Sequence, residues 1–255
     1  MNPFLISFAA SFTVNGMFFA YASARKTDVV TDLSYSLSFA LVSVVLILLN
    51  LDLPLINLLP AILTAIWALR LGAYLFTRIM KTKVDHRFDG MREVPLKFAR
   101  FWLLQAIAVV VILLPVAASV ASSGGTRHPG FFEYAGVALW IAGFAVEAVA
   151  DAQKSAFKRS GDRGFMSSGL WAWSRHPNYF GEALLWWALF VYTLPALSGL
   201  LYLSALGPLF ITLLLLFVSG IPLLEKSADA KYGSDPAYRE YRRRTSIFVP
   251  LPRKP

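Results

Sequence analysis

Apolar residues dominate seven long stretches of the chain, and polar residues gather between them. The stretches cover about 4–24, 33–49, 54–77, 98–119, 131–151, 178–194 and 199–223. A helix that crosses a bilayer needs about 20 consecutive, mostly apolar residues. The pattern therefore predicts an all-α integral membrane protein, with seven transmembrane helices in a single membrane domain.

Positive charge is distributed unevenly between the two ends of these stretches. Of the 24 lysines and arginines, 22 follow the first, third, fifth or seventh stretch, while the alternate loops carry only Arg127. Because cytoplasmic loops carry the positive excess, the N-terminus is predicted outside and the C-terminus in the cytoplasm. The first stretch lacks a basic leader and a small-residue cleavage site, so we expect a retained helix and no signal peptide.

Composition narrows the classes of function. Hydrophobic residues make up 57% of the chain and charged residues 15%, which favours a membrane protein. The chain has no cysteine, and His86, His128 and His176 lack metal-ligand spacing, so no metal site is expected. The net charge of +9 comes from basic residues that lie between apolar spans. This distribution favours membrane lipids as partners and argues against nucleic acid.

The densest group of polar side chains lies just before the sixth stretch. Pro177 suits the first turn of a helix, and Ser174 is placed to cap it. The free N–H groups of that helix end would lie beside Arg175 and His176. Such a helix start predicts an anion-binding site at the cytoplasmic boundary.

Three further polar residues follow inside the same helix. Asn178 and Tyr179 lie four and three positions before Glu182, so they share one helical face. A carboxylate more than one turn inside a membrane helix is costly. This cost favours a functional role for Glu182, and a structural ion pair is the alternative.

The fifth stretch continues into a polar ridge. Glu147, Asp151, Lys154 and Lys158 are spaced four, three and four apart, and Arg159 follows. A ridge of this kind is either an ordinary salt-bridged helix end or a clamp for phosphate groups.

The C-terminal region interleaves tyrosines with arginines, as in Tyr241 and Arg242. These side chains either grip anionic lipid or hold an adenine and a 2′-phosphate, and the residues alone favour neither. The tryptophans at positions 171, 173, 186 and 187 are expected to be anchors at the membrane interface.

A row of aromatic and basic side chains recurs at helical spacing in the third stretch: Trp67, Arg70, Tyr74 and Arg78. An arginine inside an apolar span needs a partner or marks a functional site. For Arg70, an ion pair with Asp28 or Asp32 is the competing interpretation.

The segments Gly169–Trp171 and Ser174–Glu182 resemble the membrane reductase superfamily that contains steroid 5α-reductases and sterol reductases, and best its bacterial branch. The run Gln153–Arg159 resembles the cofactor-binding stretch of that superfamily. The segment from Lys231 to Phe248–Pro250 is similar to its C-terminal ends. The resemblance is strongest over about 145–255 and is limited to span count and the Trp67/Arg70/Tyr74 pattern in the first half.

This resemblance implies an enzyme that uses NADPH to transfer a hydride to the C=C bond of an enone in a steroid-like or other lipid. Helices over about 131–255 would hold the cofactor, and helices over about 1–120 would form the substrate cavity. The predicted catalytic residues are Glu182, Tyr74 and Tyr179. The implied cofactor-binding residues are Asp151, Lys154, Lys158, Arg159, Arg175, His176, Asn178, Tyr179, Tyr241 and Arg242.

One departure from the superfamily concerns the substrate. Steroid 5α-reductases carry a Gln-Glu pair in an early span, whereas this chain has no glutamate before Glu93 and no glutamine before Gln105. Tyr74 is therefore our candidate donor to the substrate carbonyl, with Asp32 or Tyr35 as alternatives. Steroid specificity stays open.

Two other functions compete with this prediction. Arg175-His176-Pro177 and the tyrosine-rich tail also resemble isoprenylcysteine carboxyl and phospholipid methyltransferases, which use S-adenosylmethionine and carry two adjacent glutamates where this chain has Glu225-Lys226. The basic run at 154–159 suits a phosphate-rich dinucleotide better. A non-enzymatic lipid-binding or transport role is the third possibility, although no inverted repeat supports transport.

We expect a monomer or weak homo-oligomer, in a bacterial inner membrane in preference to an endoplasmic reticulum.

Overall fold

The computed structural model describes residues 2–82, 88, 90–122, 128–161 and 164–253, without the side chains of residues 81 and 82. His86, Arg127 and Asp162 lie outside the described residues. The described part of the chain is helical, with one isolated bridge between Ser174 and Ser246. Six of its helical segments are long and apolar enough to cross a membrane: Pro3–Arg25, Thr31–Leu48, Leu55–Met80, Pro95–Ile112, Phe131–Arg159 and Gly199–Tyr232. The prediction of an all-α, multi-pass membrane protein is confirmed at this level.

The sixth predicted stretch, 178–194, forms the helix α7, Pro177–Thr193. Its 17 residues extend over about 26 Å, slightly less than the hydrocarbon thickness of a typical bilayer of about 30 Å. It is not among the six segments that length and hydropathy alone identify as spans. The count of seven spans and the sidedness of the termini stay predictions.

The chain divides into two compact units. The first comprises Met1–Phe132 and Thr193–Gly207, and the second comprises Glu133–Tyr192 and Pro208–Pro255. The assignment of a substrate cavity to residues before about 120 and of a cofactor site to residues after about 131 stays a prediction. Residues 193–207 lie between the two segments of the second unit. These residues belong to the first unit, where a Cβ on Gly207 would lie only 2.8 Å from the ring of Pro115.

The first unit is a bundle of helices that follow each other closely along the chain. They are α1 (Pro3–Arg25), α2 (Thr31–Leu48), α3 (Leu55–Thr82), α4 (Pro95–Ile112) and α5 (Leu114–Ala121). The predicted span 98–119 is therefore two helices, which meet at Leu113. Pro115 explains the break, because proline is accepted in the first turn of a helix but removes a hydrogen bond from its interior.

A hydrogen-bonded network of polar side chains lies inside the first unit. Gln105 on α4 donates to Asn15 Oδ1 (2.8 Å) and to Ser34 Oγ (2.9 Å). Asn15 on α1 in turn donates to Ser38 Oγ on α2 (3.0 Å). Interhelical hydrogen bonds of this kind tie membrane helices together where lipid offers no alternative partner.

Two ion pairs tie the helix ends of the first unit. Asp32 at the start of α2 pairs with Arg78 of α3, and the buried Asp28 pairs with Arg92 at 3.0 Å. The two aspartates that were candidate partners of Arg70 thus pair with Arg78 and Arg92.

The second unit contains α6 (Phe131–Arg159, from Glu133 onward), most of α7, α8 (Leu206–Leu213, from Pro208 onward), α9 (Ile221–Tyr232) and α10 (Pro236–Arg244). The 29-residue α6 confirms the prediction that the fifth span continues into the polar ridge ending at Arg159. Glycines bring α6 and α7 into direct backbone contact: a Cβ on Gly143 would lie 2.8 Å from the Gly181 carbonyl oxygen. Small residues permit this approach in membrane bundles.

Candidate functional site

The segment that leads into α7 is held by the C-terminal residues 246–253, which we name the tail strap. Ser174 Oγ donates to the Phe248 carbonyl (2.7 Å), and the Arg175 N–H donates to the Ser246 carbonyl (2.8 Å). Ser174 Oγ also accepts from the N–H of His176 (3.1 Å), so it caps the residue before the helix and not a residue within it. The strap therefore fixes the backbone on which the arginine and the histidine are carried.

Glu225 on α9 joins both of these side chains. Its carboxylate pairs with Arg175 through one oxygen and lies 2.8 Å from His176 Nε2 through the other. Arg242 of α10 approaches the same carboxylate at 3.7 Å and donates to both oxygens of Asp229 at 2.8 Å. A carboxylate on one ring nitrogen of a histidine fixes which nitrogen carries the proton.

His176 is 4% exposed, and this burial lowers the pKa of its imidazole more than the hydrogen bond and charge of Glu225 raise it. The ring is therefore neutral at pH 7, and Nε2–H is the donor to Glu225. Its Nδ1 is then an acceptor, and this buried atom has no hydrogen-bond partner among the described residues. A buried polar atom without a partner is costly, and such atoms are common where a ligand binds.

A cavity of about 330 Å³ opens beside this cluster. Among the described residues that line it, the cations are Lys154, Lys158, Arg175 and Lys231, and the carboxylate is Glu225. Lys154 Nζ lies 4.5 Å from the centre of the Trp171 ring, a cation–π distance. The excess of positive charge makes this cavity suited to an anion.

Aromatic rings form another wall of the cavity. The ring centre of Phe165 lies 5.2 Å from that of Tyr238, 5.3 Å from that of Tyr241 and 6.0 Å from that of Tyr232. Tyr241 donates its hydroxyl to the Trp171 carbonyl (2.7 Å). Burial raises the pKa of Tyr241 and of Tyr238, so both stay protonated donors. Aromatic faces beside cations form a surface on which a nucleobase can stack.

Trp171 is positioned by the end of α6. Gly169 has a positive φ of 61°, and a Cβ there would lie 2.5 Å from the Gln153 amide nitrogen, so only glycine fits. The Gln153 carbonyl oxygen accepts from the Leu170 N–H (3.0 Å), and the Trp171 indole donates to the Ala150 carbonyl (3.1 Å). Trp171 is thus a buried wall residue, and its interpretation as a membrane-interface anchor was wrong.

A second polar group lies on the first turns of α7. Asn178 donates to Asp151 Oδ1 on α6 at 3.3 Å, while Asn178 Oδ1 has no hydrogen-bond partner among the described residues. The Tyr179 ring is parallel to the His176 ring at a centroid distance of 5.8 Å. Glu182 follows one turn later and is buried. Tyr179 therefore lies against the histidine, and Asn178 faces α6.

The structure brings together part of the predicted set. Lys154, Lys158, Arg175, His176 and Tyr241 line the cavity. Of the other predicted residues, Asp151, Asn178, Tyr179 and Glu182 belong to the neighbouring α6–α7 group, and Arg242 contacts Glu225. Arg159 is an exposed residue at the end of α6, and Tyr74 is described with the first unit.

Sequence reasoning missed Glu225 as a site residue, along with the wall residues Trp171, Phe165 and Lys231. One signal for Glu225 was available: Asp229 follows at a spacing of four, which gives a short, polar helix two acids on one face. The arginines and histidine that these acids meet lie 13 to 50 residues away along the chain. No local pattern reports a contact over that separation.

The residues present fit a nucleotide that carries phosphate. The cavity offers cations, stacking surfaces and a buried acceptor, and its volume is at the lower end of the range of about 300–1,000 Å³ for small-molecule sites. Among the described residues, no group of three or more His, Cys, Asp or Glu side chains is arranged to hold a metal ion.

Comparison with known proteins gives a family. No solved structure is significantly similar to the chain. A protein of Schizosaccharomyces pombe, described as uncharacterized, is 24% identical over 219 residues; the match covers 74% of this chain and 62% of that relative, so the chain spans less than two thirds of the relative's length. The family model described as "Protein of unknown function (DUF1295)" matches residues 18–245. The chain therefore belongs to the DUF1295 family.

Proposed function

We propose that this protein is a membrane reductase that uses NADPH to reduce the enone C=C bond of a steroid-like or other lipid. In the proposed topology the chain spans the membrane seven times, with α7 as the sixth span. The N-terminus lies outside, and the C-terminus and the cavity lie in the cytoplasm. A bacterial inner membrane is the proposed location.

The observation that carries the proposal is the cavity at the start of α7. It combines four cationic side chains with aromatic walls, and His176 Nδ1 is a buried acceptor without a partner in the described part of the chain. S-adenosylmethionine offers these cations a single carboxylate, whereas NADPH offers several negative charges on its phosphates. Phosphates and an aromatic base satisfy both kinds of wall.

The chain's own residues have distinct roles in this proposal. Lys154, Lys158 and Arg175 hold phosphate groups, and Tyr241 with its aromatic neighbours packs against the base. Glu225 is a positioning residue, because it holds Arg175 and fixes the proton of His176 on Nε2. When bound, NADPH supplies the hydride.

The Asn178–Glu182 group is proposed to lie beside the nicotinamide half of the cofactor. Asn178 Oδ1 is an acceptor suited to a carboxamide N–H. Tyr74 is the proposed proton donor to the substrate carbonyl. A donor at that oxygen stabilises the negative charge that develops there during hydride transfer. Glu182 and Tyr179 complete the proposed catalytic set.

The first experiment is ligand-dependent thermal unfolding of the detergent-purified protein, with NADPH, NADH and S-adenosylmethionine tested separately. A ligand that binds only the folded state stabilises it by about 2.7 kcal/mol at a hundredfold excess over its dissociation constant. We expect stabilisation by NADPH. Stabilisation by S-adenosylmethionine alone would replace this proposal with the methyltransferase alternative.

A pair of variants tests the residue assignment. Tyr74→Phe should reduce the turnover of an enone substrate while leaving the NADPH dissociation constant unchanged. Asn178→Ala should weaken NADPH binding. Wild-type NADPH affinity in Asn178→Ala would contradict the placement of the nicotinamide half.

A further inference from the structure

Side chains of the tail strap alternate between partly buried and exposed positions. The exposed ones are apolar, unlike those of a strand that faces water. Ser246 and Phe248 are partly buried and contact the segment before α7 through their carbonyls. The intervening side chains are exposed and all apolar: Ile247 (43%), Val249 (45%) and Leu251 (50%). In an extended segment with one solvated face, that face is normally polar. The outward face of the strap is therefore suited to something other than water.

Trp173 extends this apolar face. Its carbonyl accepts from the Leu251 N–H at 3.1 Å, and its side chain is half exposed. Of the four tryptophans expected at the membrane interface, Trp173 is the most exposed, whereas Trp171 and Trp186 are buried. Tryptophan is enriched at the interface because its ring is apolar and its N–H is polar. We name Ile247, Val249, Leu251 and Trp173 together the apolar strip.

The strap lies at the level where α7 begins. The Phe248 ring contacts that of Phe180, in the first turn of α7, with 5.7 Å between ring centres. Arginines flank the strip along the chain: Arg244 before it pairs with Glu240 at 3.8 Å, and Arg253 after it donates to the neutral carbonyls of Ala172 and Ser167 and so keeps its positive charge uncompensated by them. An apolar segment bounded by cations at the end of a span has the composition of an interfacial anchor on an anionic membrane.

We propose that the apolar strip lies in the interfacial zone of the cytoplasmic leaflet, where its side chains contact lipid and the positive charge of Arg253 attracts anionic headgroups. This inference rests on the proposed topology in which α7 crosses the membrane. It does not depend on the cofactor or on the reaction. Lipid contact would hold the strap against the segment that carries Arg175 and His176.

Spin labelling tests this proposal directly, because the chain has no cysteine and each labelled position needs only one substitution. Val249→Cys is labelled with a nitroxide and reconstituted in phosphatidylcholine vesicles with and without phosphatidylglycerol. The matched control is Arg243→Cys on α10, whose side chain is well exposed and polar. Collision with oxygen reports lipid, and collision with a water-soluble nickel chelate reports water.

We expect the label at 249 to collide more with oxygen and the label at 243 more with nickel, with the difference larger in the anionic vesicles. Equal nickel access at both positions would overturn the proposal. Spin–spin broadening at 249 that disappears on dilution with unlabelled protein would also overturn it, because a second copy would then cover the strip.

A separate experiment tests whether α7 crosses the membrane. His128→Cys and Arg243→Cys flank α6, α7 and the last predicted span, so a crossing by α7 places them on opposite sides of the membrane. A membrane-impermeant maleimide should label them from opposite sides of sealed, oriented vesicles. Labelling from the same side would remove α7 as a span, whatever the result at position 249.

Discussion

The two units of the chain differ in how their buried polar groups are hydrogen-bonded. In the first unit, Gln105, Asn15 and Ser38 form a continuous chain of hydrogen bonds between three helices. In the second unit, three buried polar atoms without a hydrogen-bond partner among the described residues lie within four consecutive residues beside the cavity: Arg175 Nε, His176 Nδ1 and Asn178 Oδ1. Others, such as Trp140 Nε1 and Thr245 Oγ1, lie apart from this stretch. Unpartnered atoms of the first unit, such as Ser43 Oγ and Trp102 Nε1, are dispersed.

This contrast shows that buried polar groups in a helical membrane protein can either stabilise the packing of helices or bind a ligand. A satisfied network stabilises one arrangement of helices and leaves nothing to bind a ligand. Clustered unsatisfied atoms beside a charged cavity cost stability unless a ligand completes them. Substitutions in the first unit should therefore change stability, and substitutions around the cavity should change ligand affinity.

The largest effect is expected from Glu225→Ala, because this carboxylate both stabilises the fold and holds a residue proposed to bind the cofactor. Removing this carboxylate leaves Arg175 and His176 without their shared partner, and we expect a loss of about 2–4 kcal/mol in the free energy of unfolding. NADPH affinity should also fall, because the arginine is no longer held. Denaturant unfolding and ligand titration measure the two effects. Glu240→Ala removes an exposed carboxylate from α10 and should change neither quantity.

Gln105→Leu breaks the network of the first unit. Asn15 Oδ1 and Ser34 Oγ lose their donor, and we expect a loss of about 1–2 kcal/mol in unfolding free energy with unchanged NADPH affinity. Unfolding in lipid–detergent micelles measures the change, and the exposed Leu104→Ala is the control. A large loss of NADPH affinity in Gln105→Leu would remove the contrast between the units.

Acid should destabilise the protein through His176. The folded state keeps this imidazole neutral because burial lowers its pKa, while the unfolded chain takes up a proton near the ordinary value of 6.5. Stability should thus fall as the pH drops below about 6.5, by at most about 1.4 kcal/mol per pH unit. The melting temperature measured from pH 7.5 to 5 reports this slope. A slope unchanged in His176→Asn would assign the effect to other groups.

The smallest effect on the fold is expected from Lys158→Ala. The side chain is exposed, so stability should be unchanged, but NADPH affinity should fall about tenfold through loss of one phosphate contact. Calorimetric titration measures this change. Lys97→Ala removes an exposed lysine of the first unit and should leave affinity as in the wild type.

Local patterns predicted what depends on neighbours in the sequence. Apolar run length predicted six of the membrane segments, and the spacing of Lys154 and Lys158 correctly placed them together on an extended α6. The break at Leu113 was missed because both halves are apolar and only Pro115 marks the boundary. Trp171 was misinterpreted because a buried tryptophan and an interface tryptophan look alike in sequence.

The remainder of the site depends on contacts between distant residues. Glu225 meets His176 across 49 positions, and Ser174 meets Phe248 across 74. Neither contact leaves a periodic pattern in the sequence, because each joins two elements that are far apart along the chain. Sequence therefore identified the helix start and its cations and left unassigned the acid that organises them.

The tail strap also sets an order of assembly during synthesis. Arg175 and the start of α7 leave the ribosome well before residues 246–253, which supply the carbonyls that hold them. The helices can insert one after another, but the cavity cannot reach its final form until the strap has been translated. A stalled or prematurely ended chain would therefore yield an inserted bundle with an unfinished pocket.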